Sequence, residues 1–299
     1  ADMGIIAGSD AYLARTTDGG MTWTQVVTPM SDVNFGAFSA LCYLDANTVF
    51  AGGKRGNILK STDGGANWTT MVNEGSKTIY DISVVDANNI IATGSSGQIY
   101  LSTDGGENFV LENDYGSMSM RAVDFQNGVG LIAASSGHLY STTETELDTL
   151  VEVFTEPDGD DFYDVKFLDN NLAYVVGENG KIYHSEDAGL TWNSDPSITD
   201  EVLQGLAYDG TTLWAVGQGG VLLKLNLSTE PELITIADAK IDADEDGNLD
   251  LEGQEVKIKG IVTSPNFGSN CQYYLQDETA GIVLYSSSVP VEVAIGDEI

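Results

Sequence analysis

Short apolar stretches alternate with polar turns along the first three quarters of the chain. The clearest unit has apolar stretches at residues 78–85, 90–93, 98–102 and 109–112, separated by an Asp/Asn turn, a glycine-rich bend and a second turn. Short runs bounded by Gly, Asn and Asp are typical of β-strands. The pattern therefore predicts a unit of four antiparallel strands. Similar units begin near residues 37, 119, 161 and 202.

A polar motif precedes the fourth strand of each unit, and its clearest copy reads Ser-Thr-Asp-Gly-Gly-Ala-Asn-Trp at residues 61–68. In register, the aspartate slots are Asp18, Asp63, Asp104, Glu144, Asp187 and Leu227. An aspartate in a tight turn accepts hydrogen bonds from backbone N–H groups further along the turn, and the glycine after it adopts a backbone conformation that other residues avoid. We therefore assign a structural role to Asp18, Asp63, Asp104 and Asp187.

The aspartate slots lie 40 to 45 residues apart, which is the period of a four-stranded propeller blade. We predict an all-β propeller of about six blades, with seven not excluded. The first unit begins in its second strand at residues 4–7, and the last has no clear fourth strand. The sequence therefore does not show how the ring closes, and we expect further residues before Ala1.

The chain is strongly acidic, with 46 acidic residues against 12 basic ones and a formal net charge of −34. This charge repels nucleic acid and anionic membranes over most of the surface, so we expect neither as a partner. No stretch of 18 apolar residues occurs, so we expect no membrane insertion. A protein or polysaccharide partner and a secreted, extracellular or cell-surface location fit this balance.

We place the propeller at residues 1–227 and a polar linker at residues 228–236. An acidic segment follows the linker. Its alternate carboxylates resemble the early part of a calcium loop, where they supply hard oxygen ligands. The candidate calcium ligands are Asp242, Asp244, Asp246 and Asp250. The twelfth position of such a loop is Gly253 instead of an acidic residue. Two interpretations therefore stay open, a calcium site and a solvated acidic turn.

The second domain, residues 237–299, resembles the OB-fold-like modules appended to secreted bacterial nucleases and surface proteins. The stretches that carry the resemblance are residues 256–263, 273–277, 280–285 and 296–298. An OB fold has about five strands, and this chain stops as the fourth begins, so the resemblance implies a truncated OB-like β-barrel. From Pro231 onward the chain has 3 lysines against 14 acidic residues, a balance that disfavours nucleic-acid binding.

The repeats resemble those of Asp-box (BNR) propellers, and the Ser-Thr-Asp-Gly-Gly-x-x-Trp motif is most similar to that of the photosystem II stability and assembly factor-like group. The resemblance covers residues 1–227 and implies a non-catalytic assembly or docking platform. Those relatives are associated with a basic binding patch, whereas the arginines here are only Arg15, Arg55 and Arg121. The resemblance therefore implies the platform role but not the identity of the partner.

Two alternatives involve other activities. Sialidases also have Asp-box propellers and hold a substrate carboxylate with three arginines beside a tyrosine–glutamate pair. Arg15 falls beside an aspartate turn, away from the face where propellers bind ligands, so such a triad is not assembled. A glycoside hydrolase of the sialidase type is the first alternative, and an accessory module of an extracellular nuclease is the second.

Propeller ligands usually meet the face formed by the glycine-rich bends and by the loops that enter the innermost strands. The candidate ligand-binding residues on this face are Arg121, Tyr80, Asp81, Tyr163, Asp164, Arg55 and Glu178. An oxygen-rich face with two tyrosines suits a sugar, a cation or a protein segment, and the alternative is a set of solvated loops. We expect a non-catalytic binding or scaffold protein that docks a protein or a glycan here, with no catalytic residues.

Overall fold

The computed structural model describes residues 2–30, 36–73, 77–143, 147, 149–225, 227, 233–234, 257–258, 261–262, 272–279 and 281–285. In these ranges the regular structure is β-strand, interrupted only by four single 3-10 turns. The chain divides into two compact units, residues 1–225 and 226–299. Within the same ranges, no helix has the length and apolar character needed to cross a membrane.

Six antiparallel sheets follow one another in the first unit, and each sheet is one blade. Blade 1 contains β1 (Gly4–Ala7), β2 (Leu13–Thr16) and β3 (Thr24–Gln25). Blade 2 contains β4 (Phe38–Tyr43), β5 (Val49–Gly53), β6 (Asn57–Ser61) and β7 (Thr69–Asn73). Blade 3 contains β8 (Ile79–Val84), β9 (Ile90–Gly94), β10 (Gln98–Ser102) and β11 (Val110–Asp114).

The later blades repeat this order. Blade 4 contains β12 (Met120–Gln126), β13 (Val129–Ala134), β14 (His138–Thr143) and β15 (Val151–Thr155). Blade 5 contains β16 (Phe162–Phe167), β17 (Ala173–Gly177), β18 (Ile182–Ser185) and β19 (Asn193–Ser194). Blade 6 contains β20 (Leu203–Tyr208), β21 (Leu213–Gly217) and β22 (Leu222–Leu225). The sheets confirm the predicted all-β propeller and fix the blade number at six.

The aspartate motif ties the turn between the third and fourth strands of a blade. In blade 2, Asp63 Oδ1 accepts hydrogen bonds from the Asn67 N–H at 2.8 Å and the Ser61 hydroxyl at 2.9 Å, while Asp63 Oδ2 accepts one from Asn67 Nδ2 at 2.7 Å. Donation from the Asn67 side chain and backbone lowers the pKa of Asp63 to about 2, because these bonds favour the charged form. Equivalent bonds surround Asp18, Asp104 and Asp187. Glu144, in the fourth slot, lies outside the described residues.

The second glycine of the motif forms a joint between neighbouring blades. Gly106 of blade 3 has a φ of 80°, and a Cβ atom built on it would lie 2.3 Å from the Phe50 ring of blade 2. Glycine alone combines this left-handed backbone with the absence of a side chain at the contact. The same close approach pairs Gly65 with Ile5 and Gly189 with Leu131. The motif therefore fixes the turn and also seats it on the preceding blade.

The hydrophobic core is divided among these joints. Between blades 2 and 3, for example, Phe50, Ile58, Ile79 and Ile90 are buried in one cluster, and Phe109 meets Phe50 edge-on with ring centres 6.1 Å apart. Comparable clusters fill the joints of blades 1 and 2, 3 and 4, and 4 and 5. Because an internal blade buries both faces, its second strand is apolar without alternation, as expected for a strand covered on both sides.

The second unit is described only in short segments. Strand β23 (Leu233–Ile234) pairs in parallel with β24 (Lys257–Ile258), and β25 (Ile261–Val262), β26 (Gln272–Gln276) and β27 (Gly281–Tyr285) form an antiparallel sheet. Strand β23 lies inside the stretch that we interpreted as a linker. These two residues are a strand because their backbone pairs with β24. The OB-like barrel stays a prediction, since most of its residues lie outside the described ranges.

Candidate functional site

The glycine-rich bends lie against the entrances to the innermost strands. In blades 3, 4 and 5 the backbone N–H of the first bend residue donates to the carbonyl of the residue immediately before the innermost strand. Ser95 donates in this way to the Thr78 carbonyl at 2.8 Å, and Glu178 donates to the Asp161 carbonyl at 3.0 Å. The second bend residue is left-handed in blades 2 to 5: Arg55, Ser96, Ser136 and Asn179 have φ between 53° and 60°. Bends and strand entrances thus form one surface, which we call the bend face.

A β-bulge recurs at the start of the innermost strand and places side chains on the bend face. The register shifts after Ile79 in blade 3, after Met120 in blade 4 and after Phe162 in blade 5. A bulge leaves one residue outside the ladder and re-aims its side chain. The three residues at the shifts are Tyr80, Arg121 and Tyr163. Their spacing along the sequence follows the blade repeat, so three adjacent blades present them side by side.

Arg121 lies between the two tyrosines. Its guanidinium carbon is 4.4 Å from the centre of the Tyr163 ring and 6.0 Å from the centre of the Tyr80 ring, within the range of a cation–π interaction. One guanidinium nitrogen also donates to Asp161 in a salt bridge in which each side chain is only about one-fifth exposed, 22% and 21%. The charge of Arg121 is therefore compensated, while part of its surface stays accessible.

Asp161 and Glu178 extend this contact into a network. Asp161 Oδ1 accepts a hydrogen bond from the Ser136 N–H at 2.6 Å. Glu178 accepts one from the Asp161 N–H at 3.2 Å and one from the Tyr163 hydroxyl at 3.5 Å. The bends of blades 4 and 5 are thus tied to Arg121 through carboxylates. The sequence analysis gave Asp161 no individual role; its position immediately before an innermost strand is the signal that identifies it.

Asp81 and Asp164 join neighbouring blades. Asp81 accepts the N–H of Ile82 at 2.8 Å and, from the next blade, the N–H of Val123 at 2.9 Å. Asp164 accepts the N–H of Val165 at 2.8 Å and, from the next blade, that of Leu206 at 2.6 Å. Their carboxylates are engaged by the backbone, so they hold innermost strands together beneath the bend face.

Burial governs the ionisation of these two groups. It raises the pKa of Asp81 to about 6 and that of Asp164 to about 8, the charge of Asp81 adding to the shift at Asp164. A third aspartate, Asp124, makes a similar clasp: it accepts the Phe167 N–H at 2.8 Å and pairs with Lys166 Nζ at 2.8 Å. The sequence analysis did not identify Asp124, which lies two residues further along its innermost strand than Asp81 and Asp164 do along theirs.

The acidic loop before blade 5 is organised around a lysine. Three carboxylates, those of Glu156, Asp158 and Asp160, approach one another closely enough to resemble a metal site. Lys181 Nζ lies 2.8 Å from Glu156, 2.7 Å from Asp158 and 3.8 Å from Asp160. The buried Glu156 also accepts a hydrogen bond from the Tyr183 hydroxyl at 3.0 Å. The ammonium group therefore takes the place that a cation would occupy, and this loop is a structural cluster.

The bend face does not reproduce a sialidase centre in the described part of the chain. Tyr163 and Glu178 are paired beside Arg121, but burial raises the pKa of Tyr163, which makes its phenolate less available as a nucleophile. Arg15 donates to the Gly64 carbonyl at 2.7 Å beside an aspartate turn, and Arg55 is exposed at the bend of blade 2. The arginines are thus distributed over separate places and do not form a carboxylate clamp.

The proposed calcium ligands Asp242, Asp244, Asp246 and Asp250 lie outside the described residues. Calcium binding by these carboxylates stays a prediction.

Comparisons with known proteins place this geometry in a family context. The family model described as photosynthesis system II assembly factor YCF48 matches residues 1–226. The photosystem II assembly lipoprotein Ycf48 of Synechocystis sp. is 26% identical over 108 residues, which cover 34% of this chain and 32% of that protein. The match thus spans about a third of that curated relative.

Two solved structures of YCF48 are similar to the chain. The structure of YCF48 from Cyanidioschyzon merolae has a TM-score of 0.56 at 22% identity and covers 72% of this chain and 76% of its own, which supports the propeller fold. YCF48 bound to D1 peptide has a TM-score of 0.47 at 17% identity and covers 76% of this chain and 90% of its own. Because the family model covers the whole propeller, the chain belongs to the photosynthesis system II assembly factor YCF48 family.

Proposed function

We propose that this chain is a non-catalytic protein-binding propeller whose bend face docks an extended segment of a partner protein during assembly of a larger complex. The family is described as an assembly factor rather than an enzyme, and an assembly factor acts by holding other proteins.

The observation that carries the proposal is the row of bulge residues Tyr80, Arg121 and Tyr163. Three neighbouring blades present an aromatic ring, a guanidinium group and a second ring, with Arg121 4.4 Å from one ring and 6.0 Å from the other. Aromatic side chains and arginine are the residues that contribute most to binding at protein interfaces. An extended segment crossing these blades would contact all three.

The charge of the face defines the chemistry of the segment. Asp161 compensates Arg121, and Glu178 adds a carboxylate beside Tyr163, so there is no surplus of positive charge around these two residues. The chain as a whole carries a net charge of −34. Electrostatic complementarity therefore favours a segment with lysine or arginine side chains, which would pair with the carboxylates and lie over the exposed ring surface.

The acidic surface also bears on location. We place the protein outside the cytoplasm, secreted or displayed at a cell surface, where an excess of acidic residues maintains solubility. The Synechocystis relative is a lipoprotein by name, which is compatible with a location at a membrane surface. Fractionation of the source cells, followed by immunodetection, would test this placement, and recovery only in the cytosolic fraction would refute it.

A peptide array tests the docking proposal. Extended synthetic peptides that differ in lysine and arginine content are screened against the full chain, with a soluble polysaccharide panel in parallel. We expect binding to basic peptides, and the Tyr163→Ala variant should weaken it about fivefold, since cation–π contacts contribute on the order of 1 kcal/mol.

Tyr43→Ala is the matched control. Tyr43 is an exposed tyrosine, 41% accessible, at the far end of innermost strand β4, so its loss should leave peptide affinity unchanged. Equal losses in both variants, or binding to polysaccharides alone, would refute the proposed docking site. Melting temperatures of both variants confirm that each one is folded.

A further inference from the structure

A groove of about 380 Å³ lies between blades 1 and 2, beside the motif turn of blade 2. We call it the rim groove, because strands β2 and β3, the last two strands of blade 1, form one of its walls. The residues that line it include Arg15, Thr17, Thr24, Gln25, Val27 and Ala66. The motif turns lie at the opposite ends of the strands from the bends, so the rim groove is separate from the bend face.

The joint between blades 2 and 3 has an equivalent groove of about 180 Å³. Lys60 takes the place of Arg15 in it, and each of these two residues lies opposite a threonine of the next strand. Arg15 donates to the Gly64 carbonyl at 2.7 Å, and Lys60 donates to the Gly105 carbonyl at 2.8 Å. Gly64 and Gly105 hold the same position in successive motifs. The two grooves are therefore two copies of one structural feature.

The two grooves differ in the carboxylate that meets the cation. Lys60 Nζ forms a salt bridge with Glu107 Oε1 at 2.5 Å. Ala66 holds the position of Glu107 in the rim groove, three residues after the motif aspartate. Arg15 also meets the Met3 sulfur at 3.3 Å, but among the described residues it forms no salt bridge. The rim groove thus presents a guanidinium group at the place where the neighbouring groove holds a cation with its carboxylate.

The other walls of the rim groove suit a ligand with hydroxyl groups. The side chains of Thr17, Thr24 and Gln25 are exposed and form no hydrogen bond within the described part of the chain. Hydroxyl and amide groups both donate and accept hydrogen bonds, as the hydroxyl groups of a sugar do. Val27 is 82% exposed and offers an apolar surface to the C–H face of a sugar ring. The lining therefore matches a molecule that has one carboxylate and several hydroxyl groups.

We propose that the rim groove binds an acidic sugar, with the sugar carboxylate on Arg15 in the place that Glu107 takes beside Lys60. An arginine fork holds a carboxylate through two charge-assisted hydrogen bonds, and the groove volume is in the range of small-molecule sites. A single uronic acid brings one negative charge, whereas an acidic protein segment would bring several towards a chain of net charge −34. Electrostatic repulsion therefore favours the sugar over the protein segment.

Two substitutions block the rim groove in different ways. Ala66→Glu places a carboxylate at the position that Glu107 has in the neighbouring groove, where it should pair with Arg15 and exclude the ligand. Arg15→Gln leaves the groove open but removes its charge. Ala87→Glu is the matched control, because it adds the same charge at an exposed turn of blade 3, outside the rim groove. Circular dichroism melting confirms that each variant is folded.

Saturation-transfer difference NMR measures binding to the full chain. The probes are glucuronate, its neutral counterpart glucose, and a peptide that contains glutamate, in about 0.15 M salt, which screens long-range repulsion. We expect binding of glucuronate but not of glucose. Ala66→Glu and Arg15→Gln should each weaken glucuronate binding about tenfold, because the charged hydrogen bonds to the carboxylate are lost, and Ala87→Glu should leave it unchanged.

Four results would overturn the proposal. The first is the absence of glucuronate binding, and the second is equal binding of glucose and glucuronate. The third is glucuronate binding that folded Ala66→Glu and Arg15→Gln retain in full, because the ligand would then lie elsewhere on the chain. The fourth is tighter binding of the acidic peptide than of glucuronate, which would assign the rim groove to a protein segment.

Discussion

The joint between blades 2 and 3 allows both roles of the motif to be measured, which are to fix the turn and to pack it against the preceding blade. Gly106→Ala adds a methyl group at a left-handed position, φ 80°, where the new Cβ would lie 2.3 Å from two carbons of the Phe50 ring. A left-handed alanine costs about 1–2 kcal/mol, and forcing a group into a well-packed contact costs about 1–3 kcal/mol more. We expect a total loss of about 2–5 kcal/mol in the free energy of unfolding.

Gly105→Ala is the matched control in the same turn. Gly105 has a φ of 70°, and a Cβ atom there would lie 3.2 Å from the Ala87 carbonyl oxygen and clear of any ring. It therefore incurs the backbone strain without the overlap with Phe50. Thermal melts followed by circular dichroism should place Gly106→Ala below Gly105→Ala by about 4–8 °C, since about 2 kcal/mol separates them and a unit of this size shifts about 2–4 °C per kcal/mol.

A second substitution isolates the ring contact. Phe50→Leu removes the ring carbons that the new methyl group would meet, so Gly106→Ala should be less destabilising in the Phe50→Leu background than in the unmodified chain. Non-additivity of this kind is the signature of residues in contact. Equal melting temperatures for the two glycine variants, or full additivity with Phe50→Leu, would refute the claim that this glycine seats one blade on the next.

Three further outcomes are expected. Asp63→Ala should lower the free energy of unfolding by about 1–3 kcal/mol, because turn donors lose their acceptor, with peptide affinity unchanged; lost binding at an unchanged melting temperature would contradict this. Burial raises the pKa of Asp164 to about 8, so the folded state retains a proton that the unfolded chain releases, and the free energy of unfolding should fall between about pH 5 and pH 8. The Asp164→Asn variant should show a weaker dependence of this free energy on pH. An identical pH dependence in both proteins would exclude Asp164 as its source. If Asp242, Asp244, Asp246 and Asp250 bind calcium, titration calorimetry should show heat that Asp244→Asn diminishes, whereas no heat at about millimolar calcium would identify a solvated acidic turn.

The repeats made the propeller predictable from the sequence. The motif around Asp63 recurs at blade spacing, and its hydrogen bonds are local, between residues no more than four apart. The strand order of each blade is also local, because its strands are joined by short antiparallel connections. These features depend on neighbours in the sequence, so pattern alone was sufficient to predict them.

The site was only partly predictable, because its decisive contacts join different blades. Arg121 pairs with Asp161 across 40 residues, and the position of Asp161 just before an innermost strand does not by itself indicate which residue of another blade it pairs with. Asp81 and Asp164 fell on the expected strands, yet their carboxylates accept backbone N–H groups 42 residues away. Which side chain faces a ligand and which clasps a neighbouring blade depends on register at the bulges, which hydrophobic pattern does not determine.

Hydrogen–deuterium exchange with a bound basic peptide from the array tests the central claim most directly. If the bend face is the docking surface, the added peptide should slow exchange at the entrances of β12 and β16, around Arg121 and Tyr163, and at the bend that contains Glu178. Exchange at the motif turn of residues 61–68, on another part of the propeller, should stay unchanged. Protection confined to that turn, with none around Arg121, would contradict the assignment of the bend face as the binding surface.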